Sequence, residues 1–413
     1  MIMLLPRLFA IAASLSVLAA PALAQNNVVL ENLESRAQDQ RLVLNIARVE
    51  VANTNLSRED ISKLFSVSTP AVEASAIAAR LKADRLVVRG AVLAGEEDRL
   101  SFGPLEIAGV EQGRFAKASL GGFTASFSGK PTGSITGRAV TMESGDLAPL
   151  IAALQVRKFG YTVIQIGRIV SEGFEGSFTD PDAPTASPGG NQIKIGLRAF
   201  NSATQFEKGV PIASRMEAVS LTVDPAPGSD FSKSLRAFGL ERIEVGLTGQ
   251  GRYDPVSRIF VLEDYSIASP AAGRLTFSGQ LSGVDADALA SLDAGRRGFA
   301  LLGAGVDSLK IDFLNEGLVD KSFAYAAARQ GKSPAALRAE TSMMAAQLLP
   351  LLMGGDPQSL ALAQALQTFL AAPKSFSMML RARGSAVPLA RLSAIRDPAS
   401  FLALVEMNVR ANP

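Results

Sequence analysis

The sequence of 413 residues contains no histidine and no cysteine. A Ser-His-Asp triad, a Cys-His pair and a haem held by histidine each require one of these side chains. Zinc sites built from nitrogen and sulfur ligands are excluded for the same reason. The chemistry that remains is carboxylate catalysis, a serine–lysine pair, or a metal held by oxygen ligands. Without cysteine there are no disulfides, so a chain of this length must depend on its buried core.

Tryptophan is also absent, and aromatic residues make up only 6% of the chain. This argues against carbohydrate or nucleotide surfaces that depend on indole rings. Charge is nearly balanced, with 41 Lys and Arg against 39 Asp and Glu. Because nucleic-acid binding proteins concentrate positive charge in a patch or stripe, we expect no nucleic-acid partner.

The first 24 residues have the composition of a secretory signal peptide. Arg7 supplies a positive charge, an apolar run covers residues 8–20, and Ala22 and Ala24 form a small-x-small cleavage pattern. The apolar run is too short for a membrane span. We therefore expect residues 1–24 to be removed and the mature chain to be periplasmic, without a transmembrane span.

Residues 235–246 place a helix end, a glycine and a strand start within one short segment. Gly239 can adopt the left-handed backbone conformation that ends a helix, and Ile243 and Val245 then begin a period of two. Residues 154–167 match this junction at the same spacing. The junction is therefore predicted to mark a repeating unit.

Residues 305–311 form a looser copy of the junction. Glycine-punctuated runs of alternating residues between 86 and 140 predict short strands joined by tight turns. We therefore predict an α+β fold. Antiparallel β-meander repeats form an extended or curved sheet, with helices on one face and a helical C-terminal part.

Three regions are predicted after the signal peptide. Two α+β repeat regions cover residues 25–180 and 191–315, and a mainly helical region at 316–413 packs on the same sheet. In the first region Ser57 is predicted to cap a helix and a second helical run covers residues 71–82; in the last region Asp397 and Pro398 begin a final helix that includes Val405. A segment rich in proline and glycine lies at residues 180–190. Strands are predicted on both sides of it, so we interpret it as a long hairpin loop, and a linker between domains is the alternative.

Two apolar helices are predicted within residues 335–369. Ser333 and Asp356, each followed by proline, provide the helix starts, and Asp356 is the only charged residue between positions 341 and 372. Pro350 helps to interrupt the run, so neither half can cross a bilayer. This hairpin either packs as core against the sheet or presents an apolar surface to a lipid, a groove or a partner. The candidate contact residues are Met343, Met344, Leu348, Leu349, Leu352, Met353, Leu360 and Leu366.

No motif for catalysis or metal binding is found. No serine stands three residues before a lysine, and Gly-x-Ser-x-Gly does not occur. Asp254 with Asp264, or Asp285 with Asp287, could form carboxylate pairs or bind Ca²⁺, but turn and helix-cap roles account for all four. We therefore expect no catalytic residue, no cofactor and no metal.

Two glycine-bounded segments carry a resemblance. Residues 249–254, Gly-Gln-Gly-Arg-Tyr-Asp, and residues 273–279, Gly-Arg-Leu-Thr-Phe-Ser-Gly, accompany the helix–glycine–strand junction. Together they resemble repeats of AsmA-like and YdgA-like bacterial envelope proteins over residues 147–315. The resemblance implies a periplasmic, β-rich body with envelope or lipid-related duties. This chain is shorter than the long members and has a predicted cleaved signal in place of a retained anchor, which argues against a bridge-like transport role.

The sequence thus favours a non-enzymatic periplasmic envelope protein that binds a lipid or other apolar ligand between the sheet and the apolar hairpin. Its basis is a hydrophobic content of 47% and a mean hydropathy of +0.21 in an exported, β-rich chain. The alternative is an envelope scaffold or interaction module, in which the hairpin is buried against a partner protein or a second copy. A hydrolase is the third hypothesis.

Overall fold

A computed structural model of the chain describes residues 26–36, 42–147, 165–183, 190–291, 295, 298 and 302–413. Within these residues the chain forms 20 strands and nine helices. The strand pairs of this part of the chain are all antiparallel. The predicted α+β class with a large antiparallel sheet is therefore confirmed. The predicted signal peptide, residues 1–24, lies outside the described residues.

The chain divides into two compact units. Unit 1 comprises Met1–Pro181, Gln192–Thr204 and Ser291–Gly295, and unit 2 comprises Asp182–Asn191, Gln205–Ala290 and Arg296–Pro413. The main boundary between them falls inside a single strand, β12 (Gln192–Glu207).

The described residues of unit 1 form strands and two short helices. Its strands before β12 are β1 (Asn26–Arg36), β2 (Val43–Thr54), β3 (Lys82–Ala94), β4 (Asp98–Phe102), β5 (Leu105–Glu111), β6 (Arg114–Leu120), β7 (Phe123–Phe127), β8 (Gly133–Gly137), β9 (Val140–Asp146), β10 (Ile166–Ser171) and β11 (Phe174–Thr179). Its described helices are α1 (Arg58–Leu64) and α2 (Ala71–Ala78).

The two helices lie between β2 and β3. Ser57 caps α1 as predicted, since its hydroxyl accepts a hydrogen bond from Asp60 N–H at 3.0 Å. A helix predicted over residues 71–82 is too long, because α2 ends at Ala78 and Lys82 already belongs to β3. Pairing of β3 with β2 and β5 outweighs the helix propensity of the alanine-rich run that precedes it.

The short strands of unit 1 are halves of longer ones. β4 and β5 together pair with β3, and β7 and β6 together pair with β4 and β5. β8 pairs with β7 and β9 with β6. β11 then pairs with β8 and β10 with β9, and both of them pair with β12. The sheet is thus an antiparallel meander in which each of these strands is interrupted once.

The interruptions lie side by side and form a line of breaks across the sheet. Backbone hydrogen bonds join neighbouring breaks: Gly103 N–H donates to Gly122 O at 2.8 Å, and Arg138 N–H donates to Gly173 O at 3.0 Å. Gly122 and Gly173 have φ of 111° and 93°, a conformation that favours glycine. A Cβ atom at Gly173 would lie 1.9 Å from Leu197 O. The line of breaks therefore depends on glycine at these positions.

The core of unit 1 is filled. Its apolar side chains on the inner face of the meander are almost wholly inaccessible to solvent. The largest of the side chains that are under 2% exposed, on the strands, on α1 and next to the strand ends, are Ile46, Ile61, Leu81, Leu86, Leu105, Ile107, Leu120, Ile135 and Leu147. Unit 1 therefore has the dense interior expected for an independent hydrophobic core.

Unit 2 contains the remaining strands and most helices. Its strands after β12 are β13 (Val210–Asp224), β14 (Ile243–Asp254), β15 (Ile259–Ser269), β16 (Gly273–Ser282), β17 (Gly305–Asn315), β18 (Ser375–Ala382), β19 (Val387–Pro388) and β20 (Val405–Ala411). Its helices within the described residues are α3 (Asp230–Ala237), α4 (Ala286–Ala290), α5 (Leu318–Gln330), α6 (Pro334–Leu352), α7 (Pro357–Ala371), α8 (Leu389–Ala394) and α9 (Pro398–Leu404).

The sheet of unit 2 has the order β13-β14-β15-β16-β17-β18-β20, and β19 pairs with β17 beyond the end of β18. Four of its pairings contain a register shift, and such bulges increase the twist and bend of strands. Helices α5, α6 and α7 are inserted between the neighbouring strands β17 and β18. The two ends of the inserted segment are hydrogen-bonded to each other. Asn315 N–H donates to Lys374 O at 2.8 Å, and the Asn315 side chain donates to Pro373 O at 2.7 Å.

The junction at residues 235–246 forms as predicted. Gly239 has φ of 80° and follows the end of α3. Its N–H donates to Arg236 O at 2.9 Å, and Leu240 N–H donates to Leu235 O at 2.8 Å, which is the Schellman arrangement of a helix end. Strand β14 then begins at Ile243.

The structure describes only one of the two proposed copies of this junction in full. Gly305 is already within β17 and pairs with Ser282, and it does not adopt a left-handed conformation. Residues 305–311 are therefore a strand without the glycine helix stop, and equating Gly305 with Gly239 was wrong. Of the copy at 154–167, residues 154–164 lie outside the described part of the chain.

The C-terminal helices begin where the sequence indicated. Ser333 Oγ accepts a hydrogen bond from Ala336 N–H at 3.1 Å at the start of α6, and Asp356 Oδ1 accepts one from Gln358 N–H at 2.7 Å at the start of α7. The last helix was predicted to include Val405, which instead opens β20. Among the described residues, helices that combine the length and apolar content needed to cross a bilayer are not found.

Candidate functional site

The sheet of unit 2 carries three continuous apolar rows on one face. Residues opposite each other on neighbouring strands share a face of the sheet. The first row is Ala218, Leu247, Ile267, Leu275, Phe313, Phe376 and Ala411. The second row is Met216, Gly249, Tyr265, Phe277, Ile311, Met378 and Val409. The third row is Gly251, Leu262, Gly279, Leu309, Leu380 and Met407. We call these rows the apolar face.

The opposite surface of the same strands, the polar face, has a different composition. One of its rows is Glu217, Thr248, Ser266, Thr276, Asp312, Ser377 and Arg410. Hydroxyl groups link across strands, as in the 2.8 Å contact between Thr248 Oγ1 and Ser266 Oγ. The separation of apolar and polar residues is therefore complete along these rows.

Helices α6 and α7 cover one end of the apolar face. Phe369 of α7 is buried, and its ring centroid lies 6.0 Å from that of Phe313 and 5.7 Å from that of Phe376. Met353, at the end of α6, is buried in a cluster with Met407 of β20. The covered end is thus formed by β17, β18 and β20.

The rest of the apolar face is not filled in the manner of unit 1. On β14, β15 and β16, side chains such as Leu247, Leu275 and Phe277 are only half-buried, and Ile267 is 45% exposed. Monomeric proteins rarely leave contiguous apolar surface of this kind without a function. The apolar face is therefore the first candidate site of the molecule.

The eight residues predicted as contacts fall into two groups. Leu349 and Met353 belong to the cluster against β18 and β20, and Leu366 is half-buried. The other five side chains are exposed to solvent. They are Met343, Met344, Leu348, Leu352 and Leu360. The hairpin is therefore partly core and partly surface, and the eight residues do not form a single site.

Helix α6 carries an exposed apolar stripe. Met344, Leu348 and Leu352 follow at intervals of four residues, and Met343 and Leu351 lie beside them, which places all five along one side of the helix. Their exposed fractions run from 45% for Met344 to 75% for Leu351. This stripe is the second candidate surface, and Leu351 was missing from the predicted set.

Among the described residues, clusters of three or more side chains that could hold a metal ion are not found. Asp254 accepts hydrogen bonds from Val256 N–H and the Ser257 hydroxyl, which lower the pKa of its carboxyl group. Asp285 accepts hydrogen bonds from Asp287 N–H and Ala288 N–H at the start of α4. Asp254 and Asp285 thus have the turn and helix-cap contacts that their sequence positions indicated, whereas the turn predicted at Asp264 was wrong, because Asp264 lies within β15 and pairs with Gln250.

The central strand of the apolar face, β17, was expected as a strand through the copy of the junction at residues 305–311, but its residues were not among the predicted contacts. In β17, Phe313 lies in the first row, Ile311 in the second and Leu309 in the third. Their alternation with Lys310 and Asp312 is a strand signal, but the segment was interpreted only as a copy of the helix–glycine–strand junction. The alternation itself would have found them.

Comparison with known proteins gives one finding. Residues 266–412 match a protein family described only as an uncharacterized protein. The matched segment begins in β15 and runs through the inserted helices to β20. Curated proteins and solved structures give no match.

Proposed function

We propose that this chain is a non-enzymatic periplasmic envelope protein, and that the apolar face of unit 2 binds a lipid or another elongated apolar ligand. The observation that carries the proposal is the contrast between the two units. The meander of unit 1 buries its apolar side chains almost completely, whereas the apolar rows of β14, β15 and β16 are half-buried. An apolar ligand would remove the remaining surface from water.

The dimensions of the apolar face favour an extended molecule. The three strands that the helices leave uncovered, β14 to β16, span about 10 Å across the sheet, and their 10 to 12 residues extend roughly 33–40 Å along it. Each methylene group removed from water contributes about 0.8 kcal/mol. A chain of at least about ten methylenes is therefore needed for micromolar affinity, because association and ordering costs reduce the net gain. Short acids should bind weakly and long acyl chains strongly.

A charge placed on the apolar face should weaken binding. We expect Ile267→Asp to reduce the affinity for a fluorescent long-chain fatty acid roughly tenfold or more, because a carboxylate beside the ligand must lose water. Aspartate is too short to lift its charge away from the surface, as lysine could. The measurement is a fluorescence titration of the purified chain, with unlabelled acids of increasing length as competitors.

Leu314→Asp is the matched control. Leu314 is 46% exposed, which nearly equals the 45% of Ile267, but it lies on the polar face of β17. Its replacement should leave the affinity unchanged. Native mass spectrometry and lipid extraction of protein purified from the periplasm provide a second readout. Unaltered binding by the Ile267 variant, or protein that is consistently empty, would overturn the proposal.

The exposed stripe of α6 favours a second function. In this alternative the chain is an envelope scaffold or interaction module, and the stripe is buried against a partner protein or a second copy. Leucine and methionine side chains exposed in a row are typical of helix surfaces that dock in a groove or against another helix. This stripe is separate from the uncovered rows of the apolar face on β14, β15 and β16, so the two functions can be tested independently.

Charges in the stripe should abolish such an association. We expect Leu348→Asp and Leu352→Asp to remove crosslinked products in cells while fatty-acid binding stays within about twofold of wild type, since exposed positions tolerate substitution. Ala339→Asp, at an exposed position earlier in α6, is the control and should retain the products. Crosslinking that survives in both leucine variants contradicts the interaction function.

A further inference from the structure

A cleft lies over the polar face at the end of the sheet formed by β17, β18 and β20. Its volume is about 750 Å³, within the range of roughly 300–1,000 Å³ usual for small-molecule sites. Its charged lining residues are Lys310, Asp312, Arg381, Arg383, Glu406 and Arg410. Most of the lining lies on the polar face, and Met407 of the third apolar row and Gln358 of α7 complete it. Residues of β14, β15 and β16 do not line this cleft, so it is separate from the uncovered part of the apolar face.

The carboxylates of the cleft already have cationic neighbours. Lys310 Nζ and the Ser377 hydroxyl both donate hydrogen bonds to Asp312. Burial alone would raise the pKa of the Asp312 carboxyl, but these two hydrogen bonds outweigh it and hold the pKa below its usual value. Glu406 has Arg383 at 3.9 Å. Asp312 is therefore paired with Lys310, and Glu406 is paired with Arg383.

Two cationic side chains of the cleft have no partner among the described residues. The guanidinium groups of Arg381 and Arg410 form neither an ion pair nor a hydrogen bond with any described residue. Among the side chains that line the cleft, four cations face two carboxylates, and Pro413 lines it as well. A concave surface with excess positive charge attracts anions more strongly than an isolated arginine on a flat surface.

Strand register brings the two free arginines to opposite ends of one short surface. Arg410 pairs with Ser377, and Arg381 lies four residues further along β18, about 13 Å away by strand geometry. The row between them contains Met379 and Asn408. Both guanidinium groups can therefore reach a ligand that rests on this row.

We propose that the cleft binds a phosphate-bearing ligand, held by the guanidinium groups of Arg381 and Arg410 with the Asn408 amide between them. Guanidinium groups donate paired hydrogen bonds to phosphate oxygens. A phosphate presents more acceptor oxygens than a carboxylate and can engage both arginines at once. The volume of the cleft leaves room for a polar body attached to the phosphate. This chemistry is shared by soluble phosphate esters and by the headgroups of anionic phospholipids.

Two probes distinguish these sources. Glycerol 3-phosphate is titrated into the full chain by calorimetry, and sedimentation is measured with phosphatidylcholine vesicles that contain or lack phosphatidylglycerol. We expect binding to at least one phosphate probe. Arg381→Gln and Arg410→Gln should each weaken it roughly tenfold or more, because each removes hydrogen bonds between charged groups. Binding to the soluble ester assigns a free ligand, and binding only to vesicles with phosphatidylglycerol assigns a headgroup.

Arg274→Gln is the matched control. Arg274 is exposed on the polar face of β16, outside the cleft, and its loss changes the net charge by the same amount. It should keep wild-type affinity. Circular dichroism and thermal unfolding of all three variants confirm that they fold. The proposal is overturned if neither probe binds, or if the Arg381 and Arg410 variants keep wild-type affinity. It is also overturned if the Arg274 variant loses as much affinity as they do.

Discussion

Replacement of Gly173 by alanine is expected to lower the free energy of unfolding of unit 1 by about 3 kcal/mol or more. Gly173 has φ of 93°, which disfavours any residue with a Cβ atom. Its Cβ would also lie 1.9 Å from Leu197 O and 2.6 Å from Arg198 O, and backbone atoms of a paired strand cannot move away easily. Urea unfolding followed by circular dichroism measures the change.

Gly331→Ala separates the two causes. Gly331 has a left-handed φ of 64° at the end of α5, but nothing lies within 4 Å of the position its Cβ would take. Its replacement should cost only the conformational term, about 1 kcal/mol. Equal losses for the two alanine variants would mean that close approach at the line of breaks contributes nothing to stability.

Phe369→Ala is expected to destabilise unit 2 by about 3–5 kcal/mol, the usual cost of removing a buried phenylalanine. The ring is 7% exposed and contacts the rings of Phe313 and Phe376 edge to face. Its loss should loosen α7 from the apolar face. A hydrophobic dye should therefore bind the variant more strongly under conditions in which the variant remains folded.

Phe231→Ala provides the comparison for this experiment. Phe231 lies in α3 and is 39% exposed, so its replacement should cost less than about 1 kcal/mol. Dye binding should then stay at the level of wild type. A Phe369 variant with wild-type stability and wild-type dye binding would show that α7 is not anchored through this ring.

Local signals in the sequence were sufficient for the helix starts and for the junction at Gly239. Ser57, Ser333 and Asp356 cap helices through contacts within three residues, so no distant part of the chain is needed to predict them. The alternation of Ile243 and Val245 likewise fixed one face of β14. Such features depend on neighbouring residues only.

Features that depend on distant pairing could not be predicted in this way. Gly103 and Gly122 have the pattern of ordinary turns, but in the sheet they hydrogen-bond to each other at the centre of two longer strands. Val405 follows a helix-like run, and its place in a strand is decided by β18, which pairs it with Ala382. Local propensity is overruled by strand partners in both cases.

The candidate surfaces were found only in part for a related reason. Helix α6 is apolar on most sides, so periodicity cannot indicate which residues face the sheet. The fold turns Met353 inward and leaves Leu352, its neighbour, exposed. Arg381 and Arg410 are far from Lys310 in sequence, and only the register of β17, β18 and β20 brings them to one cleft.

The segment inserted between β17 and β18 has a consequence for how the length of this protein can change. Its two ends are 58 positions apart but are joined by the Asn315 side chain and Pro373 O. The entropy of closing a flexible loop grows only with the logarithm of its length, by about 0.6 kcal/mol for each doubling. A change in the length of the segment therefore adds little closure cost, provided that the new segment still covers Phe313 and Phe376 as Phe369 does. We regard Asn315 and Pro373 as a permissive graft point, at which the inserted helices can diverge while the strands on either side stay in register.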